Sequence, residues 1–375
     1  MIALPEVVSR KFRFWSFASI ILVVLMHSYN LQIRYLQPWT NPEERMSVTA
    51  FTEYFISNGI FRFTMPMLFM ISGFLYAAND ALPNKLRINK RFKSLIIPYL
   101  IWAAIGMLMV YVMELIPFFK TQILATHIAQ MSDKTMLLHQ YKWYEVLLRF
   151  IFAPLSYQLW FIRVLFIYNL AYIPIRYCVM HPKGKWIFFV TVTCMWIFMI
   201  DLGVIEGEGL LFFALGVWLQ KNQFDMEKPK PYLNPFYWGL ACIAITIIRT
   251  WLAFKGLPIL HDAVYPIIAI SLRISVFCGL VAAWFGFDRF INFMMKQRWF
   301  TNTGKYAFFI YLAHAPLVAL LIDPLFSALH YCYGYRIISL ILLPILLIAG
   351  FSALAYLIKL ISPKVYGIIS GGRGL

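Results

Sequence analysis

Long apolar runs separated by short, base-rich loops organise this chain. Runs long enough to cross a bilayer lie at about 14–34, 60–79, 94–116, 157–177, 186–202, 207–220, 236–254, 264–286, 304–328 and 335–361. They predict an all-α, polytopic transmembrane bundle of about ten spanning helices, with one integral-membrane domain over residues 1–375. The first run follows Arg10, Lys11 and Arg13, as a signal peptide would. No small-residue cleavage site succeeds it, however, and the chain continues His27-Ser28-Tyr29-Asn30, which reads as a retained helix.

Composition agrees with the pattern. Hydrophobic residues make up 62% of the 375 and charged residues 13%, and the mean hydropathy is +0.73, well away from soluble globular domains. The net charge of +17 would ordinarily raise nucleic acid as a partner, but here it is distributed as a topology signal. With the N-terminus inside, twenty of the 33 basic residues fall in inner segments and nine in outer ones, which places both termini in the cytoplasm. The bases are scattered among short loops, so the expected electrostatic partner is anionic membrane lipid, and no nucleic acid is expected. The five cysteines form no CxxC pair, so neither a disulfide framework nor a metal site is expected.

Against this apolar background the ionisable residues inside the runs are the candidates for chemistry. Phe14–Leu31 contains no acidic or basic side chain except His27. Arg13, Ser16 and His27 share a helix face, and His27 lies about 20 Å along the axis from Arg13. That stripe could join a cytoplasmic anion site to a base deep in the membrane; a histidine bonded to a neighbouring helix explains the pattern equally well. His314 is a second membrane histidine, able to approach His27 if the first and ninth helices are neighbours, with simple packing as the alternative. Arg62 opens the second run, where it either snorkels or binds substrate; Ser72-Gly73 either contacts substrate or packs helices. Lys85, Arg87, Lys90, Arg91 and Lys93 could grip a phosphorylated ligand, or be an ordinary inner loop. Trp160 reads as an interface anchor or aromatic wall. Arg163 and Arg273, inside apolar runs, each need a partner. Asp201, Glu206 and Glu208 cluster on the outer side, where they orient an acceptor sugar or line a solvated loop. No HExxH, Walker-type loop or GxSxG elbow is present. Intramembrane Arg and His with broken apolar runs also suit a transporter or flippase of a saccharide or related polar solute, although no internal repeat is evident.

Several segments together resemble the acyltransferase 3 family. They are His27 in HSYN, Pro66-Met-Leu-Phe-Met-Ile-Ser-Gly-Phe74, Lys90-Arg91-Phe-Lys-Ser-Leu-Ile-Ile-Pro98, Leu159-Trp160-Phe161-Ile162, Phe213-Ala-Leu-Gly216 and Gly304-Lys-Tyr-Ala-Phe-Phe-Ile-Tyr-Leu-Ala-His314, in that order over about residues 14–320. The resemblance implies an O-acyltransferase of the bacterial inner membrane. It would move an acyl group, usually acetyl, from cytoplasmic acetyl-CoA to a hydroxyl of an extracytoplasmic glycan or lipid-linked saccharide, with or without a separate extracytoplasmic transferase. By the same resemblance His27 is the base or acyl relay, His314 assists it, and Arg13, Ser16, Lys90, Arg91 and Lys93 hold the donor. Arg62, Ser72, Trp160 and Arg163 then face the acceptor. No metal is implied. The chain departs from the family pattern twice: Ser16 stands where an arginine usually precedes the histidine, leaving Arg13 as the nearest arginine on that face, and Ala307 stands where a serine is common.

Overall fold

The computed structural model describes residues 4–29, 41–126, 136–200, 202–203 and 205–374. Every regular element among them is a helix. The all-α expectation holds; of the ten expected spans, the described residues show between five and seven by length and composition. Five are long and apolar enough to cross a membrane: Val48–Ala78, Asn84–Glu114, Pro231–Lys255, Leu257–Gly286 and Tyr335–Ile361. Two more predicted runs are bent pairs, Trp143–Phe152 with Tyr157–Leu170 at 53° and Ala307–Ala313 with Leu317–Leu329 at 74°, giving up to seven.

The other three predicted runs fall short for identifiable reasons. Gly184–Ile197 and Gly207–Lys221 have 14 and 15 residues, about 21–23 Å of helix against a hydrocarbon core of roughly 30 Å. The first helix, Glu6–His27, has Arg10, Lys11 and Arg13 in its first half. Lys11 is itself 1% exposed and forms an ion pair with Asp288 at 2.8 Å and a hydrogen bond to Trp284 O at 3.1 Å. A base counted from sequence as part of an inner loop is thus a packed, paired cation.

The chain divides into two compact units, Met1–Met26 with Leu31–Ile88 and Ile167–Asn302, and His27–Asn30 with Asn89–Phe166 and Thr303–Leu375. In the first, the Thr64–Ala78 and Gly207–Lys221 helices cross backbone to backbone. A Cβ on Gly73 would come 2.1 Å from Phe213 O, and one on Gly216 would come 2.0 Å from Met70 O. Only glycine permits that approach, the usual way membrane helices gain dispersion contacts. Gly73 therefore serves helix packing, one of the two uses its motif allowed.

At one end of the same helices Asp80 accepts from Arg87 (2.9 Å), Arg176 (2.7 Å) and Lys221 (2.5 Å). The Arg87 guanidinium lies 4.6 Å from the ring centroids of both Tyr76 and Tyr172. Burial alone would push the Asp80 carboxyl up, but the hydrogen bonds from Lys221 and Arg176 outweigh it and hold the pKa at about 2.

The second unit is tied together by polar contacts between its helices. Tyr99 donates to Ile151 O at 2.7 Å and Trp102 to Ile369 O at 3.1 Å. The buried Glu114 carboxylate accepts from the Leu138 backbone amide and meets His139 Nδ1 at 3.0 Å.

Candidate active site

Two helix breaks in the second unit create the site. Residues 153–156 interrupt one bent pair at Pro154, and residues 314–316 interrupt the other at Pro316. Proline has no N–H, so Pro316 cannot donate to the carbonyl four residues earlier, Leu312 O. Gln158 supplies the missing donor, because its Nε2 reaches Leu312 O at 2.8 Å and Ala315 O at 3.2 Å. Tyr311 answers from the other break by donating its hydroxyl to Gln158 O. Non-helical backbone is thereby satisfied by side chains of the facing break, the condition for tolerating it at membrane depth.

His314 sits at the second break and is fully buried. Its Nδ1 lies 2.8 Å from Tyr311 O. A carbonyl oxygen can only accept, so Nδ1 carries the hydrogen and Nε2 keeps its lone pair. Nε2 is buried and has no hydrogen-bond partner among the described residues. His27, the last residue of the first helix, is half-buried beside it. The two imidazoles are nearly parallel, 22° between planes with centroids 5.7 Å apart, and the Tyr157 ring meets His27 edge-on at 5.0 Å. The described site is therefore two histidines, one with its Nε2 lone pair uncommitted among the described residues, beside Tyr157, Gln158 and Tyr311.

The model of the Acyl_transf_3 family, described as an acyltransferase domain, matches residues 17–361. The chain belongs to that acyltransferase family. Comparison with curated proteins and with solved structures gives no match. The spanning helices and the family together make this a multi-pass membrane acyltransferase.

The other sequence candidates distribute unevenly. Trp160 and Arg163 lie in the same unit as the histidines, both half-buried; Arg163 Nε has no partner among the described residues. Lys90, Arg91 and Lys93 belong to this unit too, on the segment entering the Ile97–Glu114 helix, with Lys90 and Lys93 exposed. Arg13 and Ser16 belong to the first unit; Arg13 is exposed and Ser16 half-buried. Both lie on the first helix, which runs from Glu6 to His27.

Arg62 and Ser72 also lie in the first unit. Arg62 donates to Asn58 Oδ1 at 2.6 Å, and Ser72 is half-buried beside Gly73. Arg273 finds the partners its burial demands in Trp196 O (3.0 Å) and Ala269 O (2.6 Å), with Glu208 in electrostatic reach of Arg273 and Arg62. Glu208 accepts from Trp196 Nε1 at 2.9 Å. Asp201 lies outside the described residues.

The first unit also holds a cavity of about 460 Å³ bounded by Trp15, Phe63, Gly239, Gly279 and Phe300. Its surface is wholly apolar, so it supplies no acid, base or oxyanion donor. Among the described residues no group of three His, Cys, Asp or Glu is placed to hold a metal ion.

Tyr157, Gln158 and Tyr311 were not among the sequence candidates. Proline beside polar residues inside an apolar run, Ala153-Pro154-Leu155-Ser156-Tyr157-Gln158 and His314-Ala315-Pro316, was the signal that marked them.

Proposed function

We propose that this acyltransferase moves an acetyl group from cytoplasmic acetyl-CoA to a hydroxyl of an extracytoplasmic or lipid-linked glycan in a bacterial cytoplasmic membrane. The observation that carries the reading is the pairing of His27, at the end of the first helix, with His314, at the second of the two helix breaks. A neutral imidazole has an ordinary pKa near working pH and suits proton transfer from a hydroxyl. The two rings lie side by side, with centroids 5.7 Å apart.

In this reading His27 removes the acceptor hydroxyl proton as its oxygen attacks the thioester carbonyl. His314 Nε2, an uncommitted acceptor, orients the hydroxyl or shares the proton. Collapse of the tetrahedral adduct breaks the carbon–sulfur bond, and the departing thiolate takes the proton back. The net result is ester plus free thiol. Positioning supplies most of the acceleration, and base assistance contributes about 10²–10⁴-fold. Lys90, Arg91 and Lys93 would hold the donor's phosphates on the face that the basic-residue bias assigns to the cytoplasm. Where a separate extracytoplasmic transferase takes part, the hydroxyl that attacks the thioester belongs to that transferase or to its carrier, and the same histidine pair takes its proton.

The test is reconstituted protein with labelled acetyl-CoA on one side and a cell-envelope glycan on the other. Wild type should give labelled glycan, while His27→Ala and His314→Ala, checked for folding by thermal melting, should not. Movement of unmodified glycan across the bilayer without labelling would replace this reading with a transporter.

A further inference from the structure

The apolar cavity of the first unit begins with small residues on two neighbouring helices, Pro235–Lys255 and Val264–Gly286. A Cβ on Gly239 would meet nothing nearer than Ala282 Cβ, at 3.7 Å, whereas one on Gly279 would come 2.8 Å from Phe63. Phe63 thus closes over Gly279, and the space beside Gly239 stays open. The resulting hollow of about 460 Å³ falls within the roughly 300–1,000 Å³ that ligand pockets occupy.

Its aromatic walls brace one another. Phe14 stacks on Phe300 with centroids 5.4 Å apart and meets Phe290 edge-on at 5.9 Å. Trp15 meets Phe63 at 5.8 Å and Phe287 at 6.1 Å, both edge-on. Rings supported from two sides hold the hollow open. Because the lining is wholly apolar, water would find no hydrogen-bond partners there, and an empty space would forfeit the dispersion contacts of the wall atoms. A hydrocarbon occupant supplies those contacts.

The mouth indicates where the hydrocarbon comes from. Ile243, Phe287 and Phe290 line the hollow and are themselves exposed, so it opens on the apolar surface of spanning helices, near the end of Leu257–Gly286. The chain that follows carries Phe290, Met294 and Phe300 into the lining and leaves Arg289, Lys296 and Arg298 exposed between them. Asp288 is the only acidic residue in 263–322, and its carboxylate lies 2.8 Å from Lys11 Nζ. Glu6, on the first helix, pairs with Arg10 at 3.0 Å. An apolar hollow with a basic rim at a helix end matches a lipid whose headgroup is anionic.

We propose that this hollow is a phospholipid site, in which one acyl chain of an anionic phospholipid enters past Ile243 and Phe290 and lies against Trp15, Gly239 and Phe300, while Arg289, Lys296 and Arg298 hold the phosphate. The site stands whichever acyl group and acceptor the histidine pair serves.

The test measures retention of phosphatidylglycerol, and separately of phosphatidylethanolamine and a polyprenyl phosphate, by the purified, delipidated full chain in native mass spectrometry. Wild type should hold one phosphatidylglycerol about tenfold more tightly than phosphatidylethanolamine. Gly239→Leu projects a side chain into open space and excludes chain methylenes, so it should weaken phosphatidylglycerol by on the order of tenfold. Arg289→Gln, Lys296→Gln and Arg298→Gln together alter only exposed side chains; they should weaken phosphatidylglycerol by on the order of ten- to a hundredfold and leave phosphatidylethanolamine unchanged. Glycerol 1-phosphate, a headgroup phosphate without chains, should compete poorly. Unchanged phosphatidylglycerol retention in folded Gly239→Leu, or an equal loss of both phospholipids in the triple variant, overturns the site. So does tighter retention of polyprenyl phosphate, which would make the occupant a saccharide carrier. Displacement by glycerol 1-phosphate at equal concentration overturns it too, since the bases would then bind free phosphate without the hollow.

Discussion

Gln158→Leu tests how the two helix breaks support the histidines. The substitution keeps the side chain's approximate size and removes the Nε2 donor that bonds Leu312 O at 2.8 Å and Ala315 O at 3.2 Å. Gln158 is 2% exposed, so water cannot readily take its place. Each buried carbonyl left unsatisfied costs about 1–3 kcal/mol. The bond to Ala315 O is long and counts near the low end, so the expected destabilisation is about 2–4 kcal/mol. The freed backbone is also the backbone that carries His314. A shift of about 1 Å in a catalytic group can cost on the order of 10²-fold in rate, so turnover should fall more steeply than stability.

Gln158→Glu should be worse than Leu, because a carboxylate has no hydrogen to give and would face two carbonyl oxygens. The assays are denaturant unfolding of the solubilised protein and labelled-acetyl turnover at saturating donor. A Leu variant within about 0.5 kcal/mol of wild type and with unchanged turnover would show that the breaks hold themselves, and the argument linking Gln158 to the histidine pair would fail.

Further outcomes follow from the packing and the charges. Gly216→Ala forces a Cβ to within 2.0 Å of Met70 O, so the two helices must part, with a loss of about 1–3 kcal/mol or more seen as a lower midpoint in thermal melts. Gly239→Ala is the counterpart: its Cβ would meet only Ala282 Cβ, at 3.7 Å, and the helix should gain up to about 1 kcal/mol in the same melts. Asp80 has a folded pKa of about 2, below its unfolded value of 3.8. Its stabilisation is therefore fully present above pH 4 and is lost as pH falls through about 2. The shift corresponds to about 2 kcal/mol, so Asp80→Asn should lower stability by roughly that amount at pH 7 and by little near pH 2.

The chemistry of the breaks was partly legible along the chain. His27 and His314 stood out because a titratable group in an apolar run is costly unless it has a task or a partner. Their neighbours did not, since Tyr157, Gln158 and Tyr311 are ordinary polar residues in sequence, and only the lost N–H of Pro316 explains why Leu312 O needs Gln158, 154 residues away. Arg373 shows the same limit. Sequence marks it as one more inner base, whereas its stacking on Phe308 and bond to Ser94 depend on a glycine turn fitting against segments far off in the chain.

The amino-acid sequence by itself determined that this protein is helical, membrane-embedded and of acyltransferase kind, because hydropathy, charge bias and short ordered motifs are local properties that survive without any fold. It predicted ten spans, of which the described residues show five to seven by length and composition; apolar length alone does not reveal where a helix bends or that Lys11 is buried against Asp288. The tertiary structure alone decided which histidine meets which and which nitrogen keeps its lone pair. Those depend on how distant segments satisfy one another's backbone groups, and hydrogen-bond satisfaction is a property of the folded whole.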